Sequence, residues 1–443
     1  MSFIEDIYKA GVVGAGGAGF PTHIKYKANA THLMINAAEC EPLLFTDQYN
    51  MENYADDIIS AISLAKSEIN ADKATIGIKS KYIKSISALQ NAIKKQNADV
   101  DICSFDSYYP AGDEQSIINE ITGEALPAGK IPLDMKIIVS NVSTMKNIYD
   151  ATRNIPVTEK CITVTGEVVC PSIITVPIGT SIKECINLSG GSSIEDYDVI
   201  IGGPMMGKLL LKENIGTTFV TKTTGGIIIL PKDHKLITRR KQSIEHIKNQ
   251  ASSACIQCTF CTELCPRYLK GHPLKPHKIM KAFGFGDITN ENLKQASLCC
   301  ECGICELYSC PMGLSPRMVN AHVKIELRKN NIPRENYITD EIHDMLIYRK
   351  IPTSRLISKI DIEKYYKIHD FNILKSDTDT VTIMLSQHIG KVPTPVVNVG
   401  DTVKKGDVIA DLSIDDMGAI IHASIDGKVT EITNKDITIK KVI

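Results

Sequence analysis

Short apolar runs and stretches of helical periodicity alternate through the first third of the chain. Residues 3–10 read as a short helix that leads into a glycine-rich loop, GVVGAGGAGFPTH, at 11–23. HLMINAAECEPLL (32–44) reads as an apolar strand running into an acidic turn. Residues 49–69 repeat apolar positions at helical spacing, with Ile58, Ile59, Ile62 and Leu64 on the apolar side. Strands at 74–80, 99–105 and 136–144 then alternate with helices at 82–95, 113–123 and 145–153. This rhythm predicts an α/β domain on a largely parallel sheet, residues 1–156.

From about residue 157 the pattern turns to strands punctuated by Gly and Pro. KCITVTGEVVCPSIITVPIGT, a short helix ended by glycine and YDVIIGGPMMG outline a compact β-grasp-sized module at 157–212. GGIIIL (225–230) adds a connecting strand, so the unit is taken as 157–241. Residues 242–330 place cysteine runs between helices, and 331–379 read as a linker. The tail, 380–443, has the strand-and-turn rhythm of a lipoyl-type sandwich, with glycines at turns 400, 406 and 427. The hairpin tip, Asp415-Asp416-Met417-Gly418, holds no lysine to modify, which predicts an unmodified structural version.

The cysteines change the picture from architecture to chemistry. Nine of the fourteen fall in two runs, Cys255-x2-Cys258-x2-Cys261-x3-Cys265-Pro266 and Cys299-x2-Cys302-x2-Cys305-x4-Cys310-Pro311. This is the spacing of bacterial ferredoxins, in which the fourth cysteine ligates the other [4Fe–4S] cluster. Two clusters are expected, one on Cys255, Cys258, Cys261 and Cys310, the other on Cys299, Cys302, Cys305 and Cys265. The second run has one residue more before its last cysteine, and Cys300 is a spare thiol. Zinc is the competing reading, but zinc sites are usually built from separated C-x2-C knuckles. Disulfides fit poorly with an N-terminus that lacks a signal-peptide layout. His272 and His277, between the runs, read as surface histidines.

Composition sets limits. At 443 residues, 43% hydrophobic, 23% charged and net charge −1, the chain reads as a soluble multidomain protein. It has no basic field for nucleic acid and no stretch near the ~20 apolar residues of a membrane span. Cysteines in ligand spacing point to a reducing cytoplasm.

Gly14, Gly16, Gly17 and Gly19 crowd a loop dense enough to hold a phosphate on its backbone N–H groups. The loop precedes the first strand, unlike the usual dinucleotide fingerprint. Glu39 and Glu41 end a strand, where α/β sheets bind ligands, although a solvated turn is the plain alternative.

At these residues the chain resembles known families. GAGGAGFPTHIK resembles the flavin loop of the NADH-binding subunit of complex I. INAAECEP, YYPAGDEQSIINEITGEALPAGKIP and VSNVST resemble RnfC-type proteins, and TVTGEV…VPIGT…GGPMMG looks like the SLBB-type β-grasp module they share. The sandwich at the C-terminus, with CTELCPRYLKGHPLKPHKIM and CCECGICELYSCPMGLSPR, is similar to PduS-type cobalamin reductases.

The fold so implied is multidomain α/β: a complex I flavoprotein-like domain, an SLBB module, a dicluster ferredoxin-like domain and a lipoyl-like sandwich. The resemblance implies FMN, two [4Fe–4S] clusters and NADH, with cobalamin reduced towards cob(I)alamin in support of a B12-dependent diol dehydratase. It further implies a cobalamin-handling adenosyltransferase and microcompartment shell proteins as partners. By carry-over, Gly14, Gly16, Gly17, Gly19 and Lys25 line the FMN, and Asn36 and Asn141 bind its polar edges. Phe20, Glu39 and Glu41 help place NADH, and Tyr109 and Glu114 match the second loop of the flavin site. Cys40 between the acids, and the loss of the G-T-F-K-D-R stretch that follows them in complex I, are departures from that pattern. An RnfC-like subunit that passes electrons to a partner protein is the alternative. No D-x-H-x-x-G corrin motif occurs, so the corrin acceptor stands on resemblance alone.

Overall fold

A computed structural model describes residues 2–285, 290–333, 335–368 and 370–442. The first domain is built on four parallel strands in the order Asp101–Phe105, Lys73–Lys79, His32–Ala37, Ile137–Asn141. The chain winds outward from His32–Ala37 on one side and returns to its other side with Ile137–Asn141. That reversal makes the carboxyl ends of these two strands a topological switch point, the place where open α/β sheets bind ligands in a crevice. Asn36 and Asn141 are register partners at that edge.

Several elements are shorter than the apolar pattern suggested. The strand expected over 32–44 stops at Ala37, where its neighbours also end, and the following residues cross to the next domain. The strand expected over 136–144 stops at Asn141, whose side chain accepts from the amides of Ser143 and Thr144 and so starts a helix at Val142. The single helix expected over 49–69 is two, Thr46–Asn53 and Ala55–Glu68, broken at Tyr54. The break lets the first helix bury Asp47 and Asn50, while the second buries Ile58, Ile59 and Ile62.

The second domain is a six-stranded sheet, wider than the expected 157–212 module. Its order is Asn372–Lys375, Ser172–Pro177, Glu159–Gly166, Gly226–Pro231, Tyr197–Ile201, Lys208–Leu210. Gly226–Pro231 lies inside the sheet, paired to Glu159–Gly166 and Tyr197–Ile201. The outer strand Asn372–Lys375 comes from the stretch read as a linker. That reading is corrected in a second way. Helices Thr353–Lys359 and Glu363–Tyr366 bury Leu356, Ile357, Ile360, Ile362 and Tyr365 in one core with Tyr109, Ile228, Leu230 and Met205. Residues 351–366 are thus a packed brace, because their apolar positions need burial as much as those of any helix.

The tail forms the expected sandwich, with a four-stranded and a three-stranded sheet. It is seated on the first domain by Lys222, which is buried and donates to the carbonyls of Gly11 (2.7 Å) and Ile420 (2.8 Å). Gly11, at φ +65°, admits this approach; a Cβ there would lie 2.5 Å from the Ile420 oxygen. No described helix is long and apolar enough to cross a membrane.

Ile228 is fully buried where the six-stranded sheet meets the 353–366 brace. Ile228→Ala is expected to cost about 2–5 kcal/mol. A lowered thermal midpoint by circular dichroism checks this; an unchanged midpoint would mean that the shared core does not support the sheet.

Candidate functional site

The two cysteine runs fold as near-repeats. In each, the residues between the cysteines take left-handed backbone: Gln257 (φ 53°) and Thr259 (φ 68°) in the first, Glu301 (φ 59°) and Gly303 (φ 81°) in the second. The left-handed residue turns the chain so that successive thiols face one side. The first run continues as the α-turn Phe260–Glu263, the second as the π-helical turn Ile304–Ser309. The wider turn takes up the extra residue before Cys310, and Ser309 Oγ closes it by donating to the Ile304 carbonyl.

The fourth cysteine of each run crosses over. Cys255, Cys258, Cys261 and Cys310 line one cavity together with His277, Met280 and Leu314. It encloses about 340 Å³ of non-protein space, part of it open to solvent. Cys265 lies instead among Cys299, Cys302 and Cys305. Four thiols around one cavity can serve as the ligands of a polynuclear iron–sulfur cluster. Sulfur acceptors are already served: Gln257 Nε2 donates to Cys255 (3.1 Å), Glu301 N to Cys299 (3.3 Å) and Leu314 N to Cys310 (3.3 Å). Such bonds tune cluster potentials. Cys300 stands beside Cys302.

The two histidines are not on the surface. His272 is buried, its ring Nε2 bonded to the Leu126 carbonyl at 2.8 Å, and burial lowers its pKa to about 4. His277 is half-buried, with Nδ1 2.6 Å from Thr262 Oγ1. The Gly271–Leu274 segment turns inward beneath the 124–128 loop, which spacing alone does not reveal.

At the crevice of the first domain the glycine loop divides in two. Gly16 and Gly17 are exposed, and Gly17, at φ +107°, has open space where a Cβ would be. A ligand can approach the backbone there. Gly14 sits within the loop, its amide donating to the Phe20 carbonyl. Gly19 is corrected: it is buried against Thr223 and His388 and serves the contact with the sandwich. Lys25 lies under the loop, its ammonium 2.8 Å from the Val139 carbonyl, 3.9 Å from Glu114 and 5.8 Å from the centre of the Phe20 ring. Burial lowers the Lys25 pKa and raises that of Glu114.

Other expected flavin contacts are occupied internally. Asn141 caps its helix and donates to Asp47 (2.8 Å). Asn36 donates to the Gly112 carbonyl (2.8 Å) and accepts from Ala38 N. Both hold the crevice walls, because polar groups at a strand edge bond to the nearest turn. Tyr109 is also corrected. It is buried, and its hydroxyl donates to the Cys302 carbonyl at 2.7 Å, on the cluster side of its loop.

Glu41, expected to face NADH, has both oxygens engaged. They accept from the amides of Met205 and Met206 at 2.8 Å. A Cβ on Gly203 would lie 2.1 Å from this carboxylate, so the GGPMMG loop closes on it. Arg240 and Arg317 hold the same loop through the carbonyls of Pro204, Gly207 and Met205. Glu39 remains at the strand end. Burial, then the charge of Asp47, raises its pKa to about 8, while Lys79 beneath donates to its carbonyl at 2.7 Å.

Asp47, Lys79, Arg240, Arg317 and the Asp113–Arg267 pair were not found from the sequence. Only Asp113, at a cap position before Glu114, and Arg267, directly after Cys265-Pro266, carried a local signal.

The chain matches four family models: the Nuo51 FMN-binding domain over residues 7–150, the SLBB domain over 161–209, a 4Fe-4S dicluster domain over 254–315 and the RnfC barrel sandwich hybrid domain over 367–442. It is 41% identical to cobalamin reductase PduS of Citrobacter freundii, over 98% of this chain and 95% of that protein. The chain belongs to the PduS family. A second PduS, of Salmonella typhimurium, is 39% identical over the same shares. Among solved structures, the NAD+-reducing [NiFe]-hydrogenase in its H2-reduced state has a TM-score of 0.51 and 20% identity, covering 76% of this chain and 63% of that one. That likeness concerns the fold alone. As a PduS-family member with an FMN-binding and a 4Fe-4S dicluster domain, the chain is a flavin and iron–sulfur oxidoreductase.

Two outcomes follow from this geometry. Cys310→Ala should remove about half the iron of the reconstituted protein although it lies outside the first run, whereas Cys300→Ala should keep all of it. An iron assay that finds the reverse would sink the crossed assignment. Glu39 holds its proton more tightly when folded, so the stability linked to it is present below the ordinary 4.5 and is lost as pH rises towards about 8. Glu39→Gln, neutral throughout, should flatten the fall of the thermal midpoint across that window; a parallel fall would refute the shift.

Proposed function

We propose that this chain is an NADH-dependent cobalamin reductase in which electrons pass from a flavin crevice through two [4Fe–4S] clusters to cob(III)alamin and on towards cob(I)alamin. The observation that carries the relay is the loop 108–113. It borders the crevice through Gly112 and reaches the second cysteine set through Tyr109. The acceptor is drawn from the PduS relatives, which are named cobalamin reductases.

FMN, when bound, supplies the exchange between a two-electron donor and one-electron carriers. Its phosphate would be taken by the backbone of Gly14, Gly16 and Gly17, with Lys25 below and Glu114 opposite. Phe20 and Glu39 would orient NADH at the mouth. Asn36 and Asn141 hold the walls, and Gly19 and Glu41 fasten the neighbouring domains. Cys299, Cys302, Cys305 and Cys265 would hold the cluster next to the crevice. Cys255, Cys258, Cys261 and Cys310 would hold the outer one, whose cavity opens beside the exposed Ile256, Phe260 and Met312.

That apolar rim also favours a second reading, an RnfC-like subunit that hands electrons to a docked protein. Cob(I)alamin is the species an adenosyltransferase consumes. A cytoplasmic site inside a microcompartment, with shell proteins nearby and a diol dehydratase as beneficiary, is the setting this reading implies.

Anaerobic stopped-flow mixing with NADH and then hydroxocobalamin is the test. Bleaching of flavin and cluster absorbance, followed by reduced corrin bands, is expected. Bleaching without corrin reduction would move the acceptor to a protein partner, and no bleaching would refute NADH as donor.

A further inference from the structure

One ion pair joins the flavin-side loop to the cluster domain. Arg267 Nη1 and Nη2 donate to Asp113 Oδ2 and Oδ1 at 2.6 and 2.8 Å, a bidentate pair. Their side chains are only 8% and 14% exposed. Asp113 follows Gly112, whose carbonyl holds Asn36 at the crevice, and it caps the helix Glu114–Thr122. Arg267 stands two residues after Cys265, in the helix Pro266–Leu269 that begins directly after it. Beside the pair, the buried Lys270 donates to Ser116 Oγ at 3.0 Å.

A cap needs no guanidinium, and a buried ion pair is seldom the most stable filling for its space. Its placement points to another use. Both charges reach the second cysteine set: Arg267 interacts with Cys300 and Cys302, and Asp113 acts on Cys300 with the opposite sign. Reducing a cluster adds negative charge, so a nearby guanidinium favours the reduced form and a bare carboxylate opposes it.

We propose that Asp113 and Arg267 are positioning residues that set the potential of the cluster held by Cys265, Cys299, Cys302 and Cys305, and fix that cluster against the flavin crevice. This rests on the ligand assignment above. With the pair intact, the two charges nearly cancel at the cluster. Lys270 is the same in every variant, so neutralising either member removes its own contribution and the two substitutions have opposite signs.

The test is a redox titration of the reconstituted full-length protein with dithionite, followed by electron paramagnetic resonance, with no NADH present. Asp113→Asn is expected to favour the reduced cluster about tenfold at fixed potential, which is about 59 mV upward for a one-electron couple. Arg267→Gln should shift the same signal downward, and Arg267→Lys should restore it towards wild type. The signal of the other cluster should stay put in all three. Shifts of the same sign, no shift, or loss of the cluster in both Asp113→Asn and Arg267→Lys would overturn the proposal and leave the pair a purely structural clamp. Failure of the ligand assignment is seen separately, as a wild-type protein without two reducible clusters.

Discussion

The arrangement of this protein depends on carboxylates buried where its domains meet. Glu41 leaves the end of the central strand and accepts from two consecutive amides of the GGPMMG loop. Burial pushes its carboxyl up, and those amides together with Arg240 and Arg317 pull it back towards the charged form. A buried charge is tolerated only when it is paired and hydrogen-bonded, so this loop, the strand end and the two arginines must come together or not at all. Three domains are thereby tied at one point. Arg317 extends the tie into the cluster domain through Glu306, on the π-turn of the second run.

The cluster domain shows how a near-repeat absorbs a difference. Both runs use left-handed residues at matching positions, and both send their last cysteine to the other set. The additional residue in the second run would displace Cys310 if the turn were α-helical. A π-turn widens the helix by one residue and leaves the crossover in place. The two sets also differ in surroundings. The second is enclosed by Tyr109, Met205 and Leu43, while the first opens to solvent. Since exposure and hydrogen bonds to sulfur govern potential, the two sites are electrostatically distinct although their sequences are alike.

The crevice separates residues that can touch a ligand from those that shape the site. The exposed Gly16 and Gly17 leave their backbone open and are of the first kind. Asn36, Asn141 and Tyr109, which look like ligand contacts by motif, are of the second, because each has its polar atoms bonded within the chain.

What the sequence by itself determined is what spacing encodes. Cysteine intervals named the iron–sulfur chemistry, alternating periods named the parallel sheet, and the glycine run marked the loop. These are local properties, set by backbone reach and side-chain period. The tertiary structure alone decided which side chain faces which partner. Glu41 became an interdomain latch, Gly19 a seat for the sandwich and His272 a buried group. Residues 351–366 became a brace and 372–375 an outer strand. Each outcome depends on contacts between segments far apart in the chain. Asp113 and Arg267, 154 positions apart, form a pair only because the sheet's loop and the helix after Cys265 are brought together when the cores close.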